Sequence, residues 1–336
     1  MFRLRTLVSL AVAAVLLVGC TERRLETPGG ERLGVAVDVN DSNMIVTAGF
    51  IGATQVAYLF NANTRDLRAI VAPDGAGFVP YAINDRGVIV GAVITGSGRE
   101  IQSRAARWTD RVGFDFLPLP AGTFQSWATD INTSGAITVN AFSPSGSAGD
   151  GAYVWQTGTG LVRLADPAGA PNGRASVAEA INDRGVVVGG SGNGEPAGGE
   201  RAREWNVAHV PETLGSPGSA SRALDINELG TVVGSAVTGT AGDGRAAAWT
   251  STHDFIDLGP GIANGLNDAN VVVGQAVRGD GTRANLWLVP SRFSLALGNP
   301  GSRSNATAVN NQRAVGDADG QSVEFTLLPG PATVIS

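Results

Sequence analysis

The sequence predicts an all-β fold, a seven-bladed propeller with about four antiparallel strands in each blade, and three observations carry that prediction. A turn-forming unit recurs seven times, the copies are 40 to 50 residues apart, and each copy is followed by a strand that ends on a large aromatic residue. Spacings of this length belong to propeller blades, whereas leucine-rich solenoid turns are shorter.

The clearest copy of the unit is Ala180–Gly189, A-I-N-D-R-G-V-V-V-G. An Asn at the first position of a type I turn folds its side-chain oxygen onto the backbone two residues later, and a Gly at the fourth accepts the left-handed conformation that closes a hairpin. Asn182–Gly185 is therefore a turn between two strands. Aligned on that Asn, the anchors are Asn40, Asn84, Asn132, Asn182, Asn227, Asn267 and Asn310, separated by 44, 48, 50, 45, 40 and 43 residues. An aliphatic residue precedes each anchor. Four residues before it stands Ala, or Pro80 in the second copy, and three after it Gly87, Gly135, Gly185, Gly230, Asn43 or Asn270. The seventh copy has Arg313 there and its Gly316 comes one residue early, which predicts a shorter hairpin.

Each unit continues into two more strands. The third ends at Phe60, Trp108, Trp155, Trp205, Trp249, Trp287 or Phe325, with Ala or Ser three residues upstream. The fourth is expected at Leu67–Ala72, Phe114–Leu117, Leu161–Leu164, Ala208–Leu214, Phe255–Leu258, Phe293–Leu297 and Ala332–Ser336. Four short strands taken seven times give the propeller. Blades taper toward the axis, so small residues inside and a large outer ring read as packing between blades rather than as a ligand-stacking ladder.

Composition narrows the function classes. The 336 residues include 47 Gly and no Lys, and the formal charge is −6. Without Arg3 and Arg5 of the leader, 22 Arg stand against 30 acids, a balance that argues against nucleic acid as a partner. Residues 1–19 read as a signal peptide: two arginines, an apolar run over Leu7–Val18, then Leu17-Val18-Gly19-Cys20. Twelve apolar residues are too few for a bilayer core that needs about 20. The closing four residues resemble the bacterial lipobox, which implies acylation of Cys20, the only cysteine and so one without an intramolecular disulfide partner. Acyl chains on Cys20 imply a membrane anchor at the cell envelope. With Thr21 next, the address resembles the outer membrane in a Gram-negative host, and otherwise the outer face of the cytoplasmic membrane. Residues 20–34 read as a tether without a strand pattern and 35–336 as the propeller, with Ala332–Ser336 finishing the last blade locally.

The pattern A-x-x-I-N-x-x-G-x-V-V-G followed by A-x-x-W, best seen in Ala178–Gly189 with Ala202–Trp205 and Ala223–Gly234 with Ala246–Trp249, resembles the HAF family of extracellular repeats over roughly residues 35–328. The His-Ala-Phe that names the family is absent; Arg104, Arg201, Arg245 and Arg283 take the place of its His. The resemblance implies a secreted or surface protein and transfers no catalytic residue.

The long, variable loops are Ile94–Ser103, Phe142–Gly151, Gly190–Glu200, Val237–Gly244, Pro118–Ser126 and Ala165–Val177. In a four-stranded meander all six fall on one rim, which is the expected working face. Chemistry on it is sparse. Gly149-Asp150-Gly151, Gly242-Asp243-Gly244 and Gly279-Asp280-Gly281 read as turns, and the start of a calcium-loop pattern at Asp130–Gly135 lacks its closing Glu, Ala141 standing there. Asp38, Asp130 and Asp225, two residues before the repeat Asn, read as caps of the adjacent turn. Arg278-Gly279-Asp280 matches an adhesion tripeptide and reads as coincidence.

Only two histidines exist, His209 expected on an outer strand and His253 in a tight turn of the opposite rim, which disfavours a histidine metal site or a Ser-His-Asp triad. No catalytic, cofactor-binding or metal-ligating residue is assigned. The expected function is a lipid-anchored binding or scaffolding module for a protein or an envelope glycan. The alternatives are a carbohydrate-active enzyme using the carboxylates Glu179, Asp130 and Asp225 near the axis, or a purely structural envelope protein.

Overall fold

The computed structural model describes residues 21–26, 33–96, 101–143, 146, 148–167, 176–192, 200–238, 243–279, 281–299 and 302–327. The signal peptide, Cys20 and Ala332–Ser336 lie outside them. A first strand, β1 (Thr21–Arg24), precedes the repeats. Blade 1 is β2 (Ala36–Val39), β3 (Met44–Ile51), β4 (Thr54–Asn61) and β5 (Leu67–Ile70); blade 2 is β6 (Gly77–Ile83), β7 (Ile89–Thr95), β8 (Gln102–Thr109) and β9 (Gly113–Phe116). Blade 3 is β10 (Gln125–Ile131), β11 (Ile137–Phe142), β12 (Gly151–Gln156) and β13 (Gly160–Arg163); blade 4 is β14 (Ser176–Ile181), β15 (Val187–Gly192), β16 (Glu200–Trp205) and β17 (Pro211–Thr213). Blade 5 begins with β18 (Ser221–Ile226), β19 (Val232–Thr238) and β20 (Asp243–Trp249).

The next strand, β21 (Phe255–Leu266), serves two blades. Its first half pairs with β20 as the outer strand of blade 5, and its second half pairs with β22 (Val271–Arg278) as the inner strand of blade 6. Leu258-Gly259-Pro260-Gly261 makes the passage without a loop. Gly261 has φ +146, and a Cβ there would stand 2.1 Å from the Gln275 carbonyl oxygen. Blade 6 continues with β23 (Gly281–Leu288) and β24 (Phe293–Ala296), and blade 7 holds β25 (Ser304–Val309), β26 (Arg313–Ala318) and β27 (Gln321–Thr326).

The outer place in blade 7 is taken by β1, antiparallel to β27 with Thr21 opposite Thr326 and Arg24 opposite Val323. This corrects the reading of residues 20–34 as a strandless tether; the expected strand Ala332–Ser336 lies outside the described residues. Thr-Glu-Arg-Arg has no apolar alternation because an outermost strand buries neither face deeply; the next residue, Leu25, is fully buried, and its amide donates to the Ser322 carbonyl at 2.9 Å. Strands some 300 residues apart thus complete one blade.

The hairpin prediction holds in detail. The Asn84 Oδ1 accepts from the amides of Arg86 at 3.1 Å and Val88 at 3.0 Å, and Gly87 has φ +73. Asn43 and Asn270, which replace the Gly, take φ of 61 and 58. In the seventh copy Asn310 bonds the carbonyl of Arg313, three residues on, whereas the other turns bond four residues on, so that hairpin is shorter as expected. Every inner pair slips register by one residue just before the turn, as at Ala178/Ala180. The slip presses the two strands together: a Cβ on Gly189 would stand 2.0 Å from the Val177 carbonyl oxygen, so the Gly that follows the valines is required.

Seven apolar clusters fill the seven seams between blades. Trp205 of blade 4 packs on Ala136, Ala152 and Leu164 of blade 3 and donates its indole N–H to the Ala165 carbonyl at 2.8 Å; Trp249 repeats this one blade on, to Gly215 at 2.5 Å. The aromatic series is blade packing.

Candidate functional site

The short-hairpin face owes its geometry to the repeat Asn. Each Nδ2 donates to the carbonyl of the next blade's Asn: Asn40 to Asn84, Asn84 to Asn132 and Asn132 to Asn182 at 3.0 Å each, Asn182 to Asn227 at 3.2 Å, Asn227 to Asn267 at 3.0 Å, and Asn267 to Asn310 at 3.1 Å. Asn310 returns to Asn40 at 2.8 Å, so the ring of bonds is closed. A second set lies just outside it, where Asp41, Thr133, Asp183 and Glu228 donate their amides to the carboxylates of Asp85, Asp183, Glu228 and Asp268. These acids surround an axial cavity of about 250 Å³ at that mouth. Asp85, Asp183, Glu228 and Asp268 each give one carboxylate oxygen to the join between blades.

Asp38, Asp130 and Asp225 sit one step deeper. Each accepts from the following amide and from the next blade: Asp38 from Ile83 at 2.9 Å, Asp130 from Ile181 at 2.8 Å and Asp225 from Leu266 at 2.8 Å. They cap the turn as expected and also cross the seam, into blades whose equivalent residues are Ala82, Ala180 and Gly265. Burial pushes all three carboxyls up, Asp130 to about 7, and neighbouring carboxylates add to it: Asp85 for Asp38, Asp38 and Asp183 for Asp130, and Asp130 and Asp38 for Asp225. An Asp with a folded pKa above its unfolded one gives stability that is complete below the unfolded value and lost as pH rises through the folded value, here between 3.8 and about 7 for Asp130. The thermal midpoint is expected to fall between pH 5 and pH 8 by roughly a few degrees, and Asp130→Asn to flatten that slope; calorimetric curves that run parallel for the two proteins would refute it.

The three carboxylates named from the sequence are not all brought to one place. Asp130 and Asp225 line the short-hairpin cavity with both oxygens engaged, whereas Glu179 lies at the residue that slips register, where its carboxylate bonds Arg222. Arg222 also stands 3.8 Å from Glu200, and burial raises the Glu179 carboxyl while Arg222 opposes the shift. Asn264 and Asn305 make the equivalent cross-blade pair at 2.7 Å.

Other candidates resolve as structure. His209 sits at φ 61 in the turn before β17 rather than on the outer strand, its amide bonded to Asn206. His253 is in its predicted turn, with Nε2 3.4 Å from Glu204 and Nδ1 3.8 Å from Glu212. Arg278 turns back onto Asn285 at 3.0 Å; Asp280 and Gly242 lie outside the described residues. Asp150 is buried in its loop, where Gly149 accepts from the Tyr153 hydroxyl at 2.7 Å. Among the described residues no three His, Cys, Asp or Glu side chains gather as metal ligands.

The long-loop rim carries open hollows as well. Between blades 1 and 2 an open groove of about 490 Å³ is walled by Phe50, Ala53, Pro73, Val93, Ile94 and Phe116. A second hollow of about 270 Å³ shares Val93, Thr95 and Phe116 and continues to Leu119 and Phe124 of blade 3's entry loop. Phe50 is 65% exposed, and Ile51, Ile101, Leu119 and Phe124 are exposed on the same rim. The loop lengths located this rim. The patch is not among the sequence expectations, although Leu119 and Phe124 are apolar residues within the expected loop Pro118–Ser126.

No family model matches the chain, and no curated protein does. Its fold is similar to that of puromycin hydrolase, with a TM-score of 0.58 at 12% identity over 94% of this chain and 53% of that one. It is likewise similar to a prolyl endopeptidase, with a TM-score of 0.58 at 13% identity over 88% of this chain and 48% of that one. The chain thus spans about half the length of those proteins. Virginiamycin B lyase from Staphylococcus aureus is matched over 99% of its length and 92% of this chain, at 10% identity and a TM-score of 0.54. At such identities the likeness is one of fold: the chain is a β-propeller.

Proposed function

We propose that the protein is an extracytoplasmic, lipid-anchored binding module that holds a protein segment bearing apolar side chains in the groove crossing blades 1 to 3 of the long-loop rim. The observation that carries this reading is the continuity of Phe50, Phe116, Leu119 and Phe124 along two joined hollows. Large contiguous apolar surface marks an interaction site. An envelope glycan is the rival reading, since the same hollows also carry Thr54, Gln55, Asp74, Thr95, Gln102 and Arg104; the exposed Phe50, Phe116 and Phe124 favour the protein segment. The anchor rests on the leader, the lone Cys20 and the likeness to surface repeats.

A photocrosslinking residue in place of Phe124, used in the native host, is expected to give a discrete protein adduct that disappears when Phe50→Asp and Phe116→Asp are combined with it. The same residue in place of Arg245, on blade 5, is the control. Equal adducts from both positions, or adducts that survive the paired substitutions, would overturn the reading, as would glycan binding by the purified protein that those substitutions abolish.

A further inference from the structure

We infer that the short-hairpin face of the propeller lies against the lipid surface, with the long-loop rim directed away from it. The inference rests on the acylation of Cys20 proposed above and adds which face meets the bilayer. Its first support is the place of β1. Thr21 pairs with Thr326 at the end of β27, and the next residue, Leu327, donates its amide to the Gln312 carbonyl in the Asn310–Arg313 hairpin. The start of β1 is therefore on the short-hairpin rim, at the outer edge of blade 7. Residue 20 is joined to Thr21 by one peptide, and consecutive Cα atoms are about 3.8 Å apart. No slack remains between an acylated residue 20 and the folded ring, so the membrane must begin at that rim.

The second support is independent of the leader. The tips of the short turns carry exposed aliphatic side chains: Val112, 74% exposed, on blade 2; Val207, 68% exposed, and Val210 on blade 4; and Leu229 on blade 5. With the anchor on blade 7 these tips surround the axis, so the ring seats flat on the interface instead of standing on its edge. Apolar tips that enter the boundary between headgroups and acyl chains add buried area to the acyl chains. The acids at the centre, Asp41, Asp85, Asp183, Glu228 and Asp268, line the hollow mouth of the axis and oppose a strongly anionic lipid surface. The face fits a surface of low net charge.

The test uses the acylated full chain in phosphatidylcholine vesicles. Cys20 carries no free thiol once acylated, so Val112→Cys and Ile51→Cys each give a single labelling site, on the short-hairpin and long-loop rims. With a fluorophore at either site and lipids spin-labelled near the headgroup, quenching is expected to be at least threefold stronger at position 112. A twelve-residue Gly-Ser insert between Cys20 and Thr21 should reduce that ratio, and reduce it further when Val112, Val207, Val210 and Leu229 are replaced by Ser in a probe set at Arg111→Cys. Acylated protein that is quenched equally at both rims, or more at position 51, overturns the seating and leaves the anchor standing. Protein that mass spectrometry finds unacylated at Cys20 overturns the anchor and this inference with it.

Discussion

Deleting Thr21–Leu25 is expected to lower the thermal midpoint by about 10 °C or more, because those five residues close the ring. The deletion strips β27 of its outer partner, leaves the Ser322 carbonyl without the Leu25 amide, and exposes the cluster of Val39, Ile45 and Phe60 that Leu25 covers. Burial of one leucine is worth about 2–3 kcal/mol, and Leu25→Ala alone is expected to cost roughly 2–5 kcal/mol. The seam beside it is strongly polar: Glu324, nearly buried, pairs with Arg65 and with Arg313, and the Ser322 hydroxyl donates to the Gly34 carbonyl at 2.7 Å. A peptide of residues 21–26 added in trans should restore part of the lost midpoint by refilling the strand position. A deletion variant that melts like the intact chain would show that the ring closes by other means.

Asn132→Ala is expected to destabilise the fold by about 3 kcal/mol, far more than a hairpin Asn normally does. Its Oδ1 accepts from the Ser134 hydroxyl at 2.7 Å and from the amides of Gly135 and Ala136 at 3.1 and 2.9 Å, while Nδ2 satisfies the Asn182 carbonyl in the next blade. Leaving a buried polar group unmade costs about 1–3 kcal/mol, and both halves of the side chain are lost at once. Asn132→Asp separates them. It keeps the turn acceptors and sets a carboxylate against a carbonyl, so urea unfolding should find it at least as unstable as the Ala variant. An Asp variant as stable as the parent would mean that the cross-blade bond contributes nothing.

Much of this was legible in the residues. The turn at each repeat Asn, the shorter seventh hairpin, the buried aromatic that ends each third strand and the rim that carries long loops all follow from local rules, and the structure reproduces them. The first strand was not legible, because Thr-Glu-Arg-Arg owes its conformation to β27, some 300 residues away in the chain. Neither was the apolar groove, since Phe50, Phe116 and Phe124 meet only when blades 1, 2 and 3 are set side by side.

The repeat Asn draws the line between the two kinds of information. Its oxygen acts within four residues, so spacing and residue type alone determined the hairpins, their number and hence the propeller. Its nitrogen acts across 40 to 50 residues from one blade to the next and across 270 to close the ring, the carboxylates of Asp38, Asp130 and Asp225 act across 41 to 51, and only the assembled ring decided that these groups join blades. The physical reason is reach: a hydrogen bond to the chain's own turn is fixed by local geometry, whereas one to a neighbouring blade exists only after every blade has been packed.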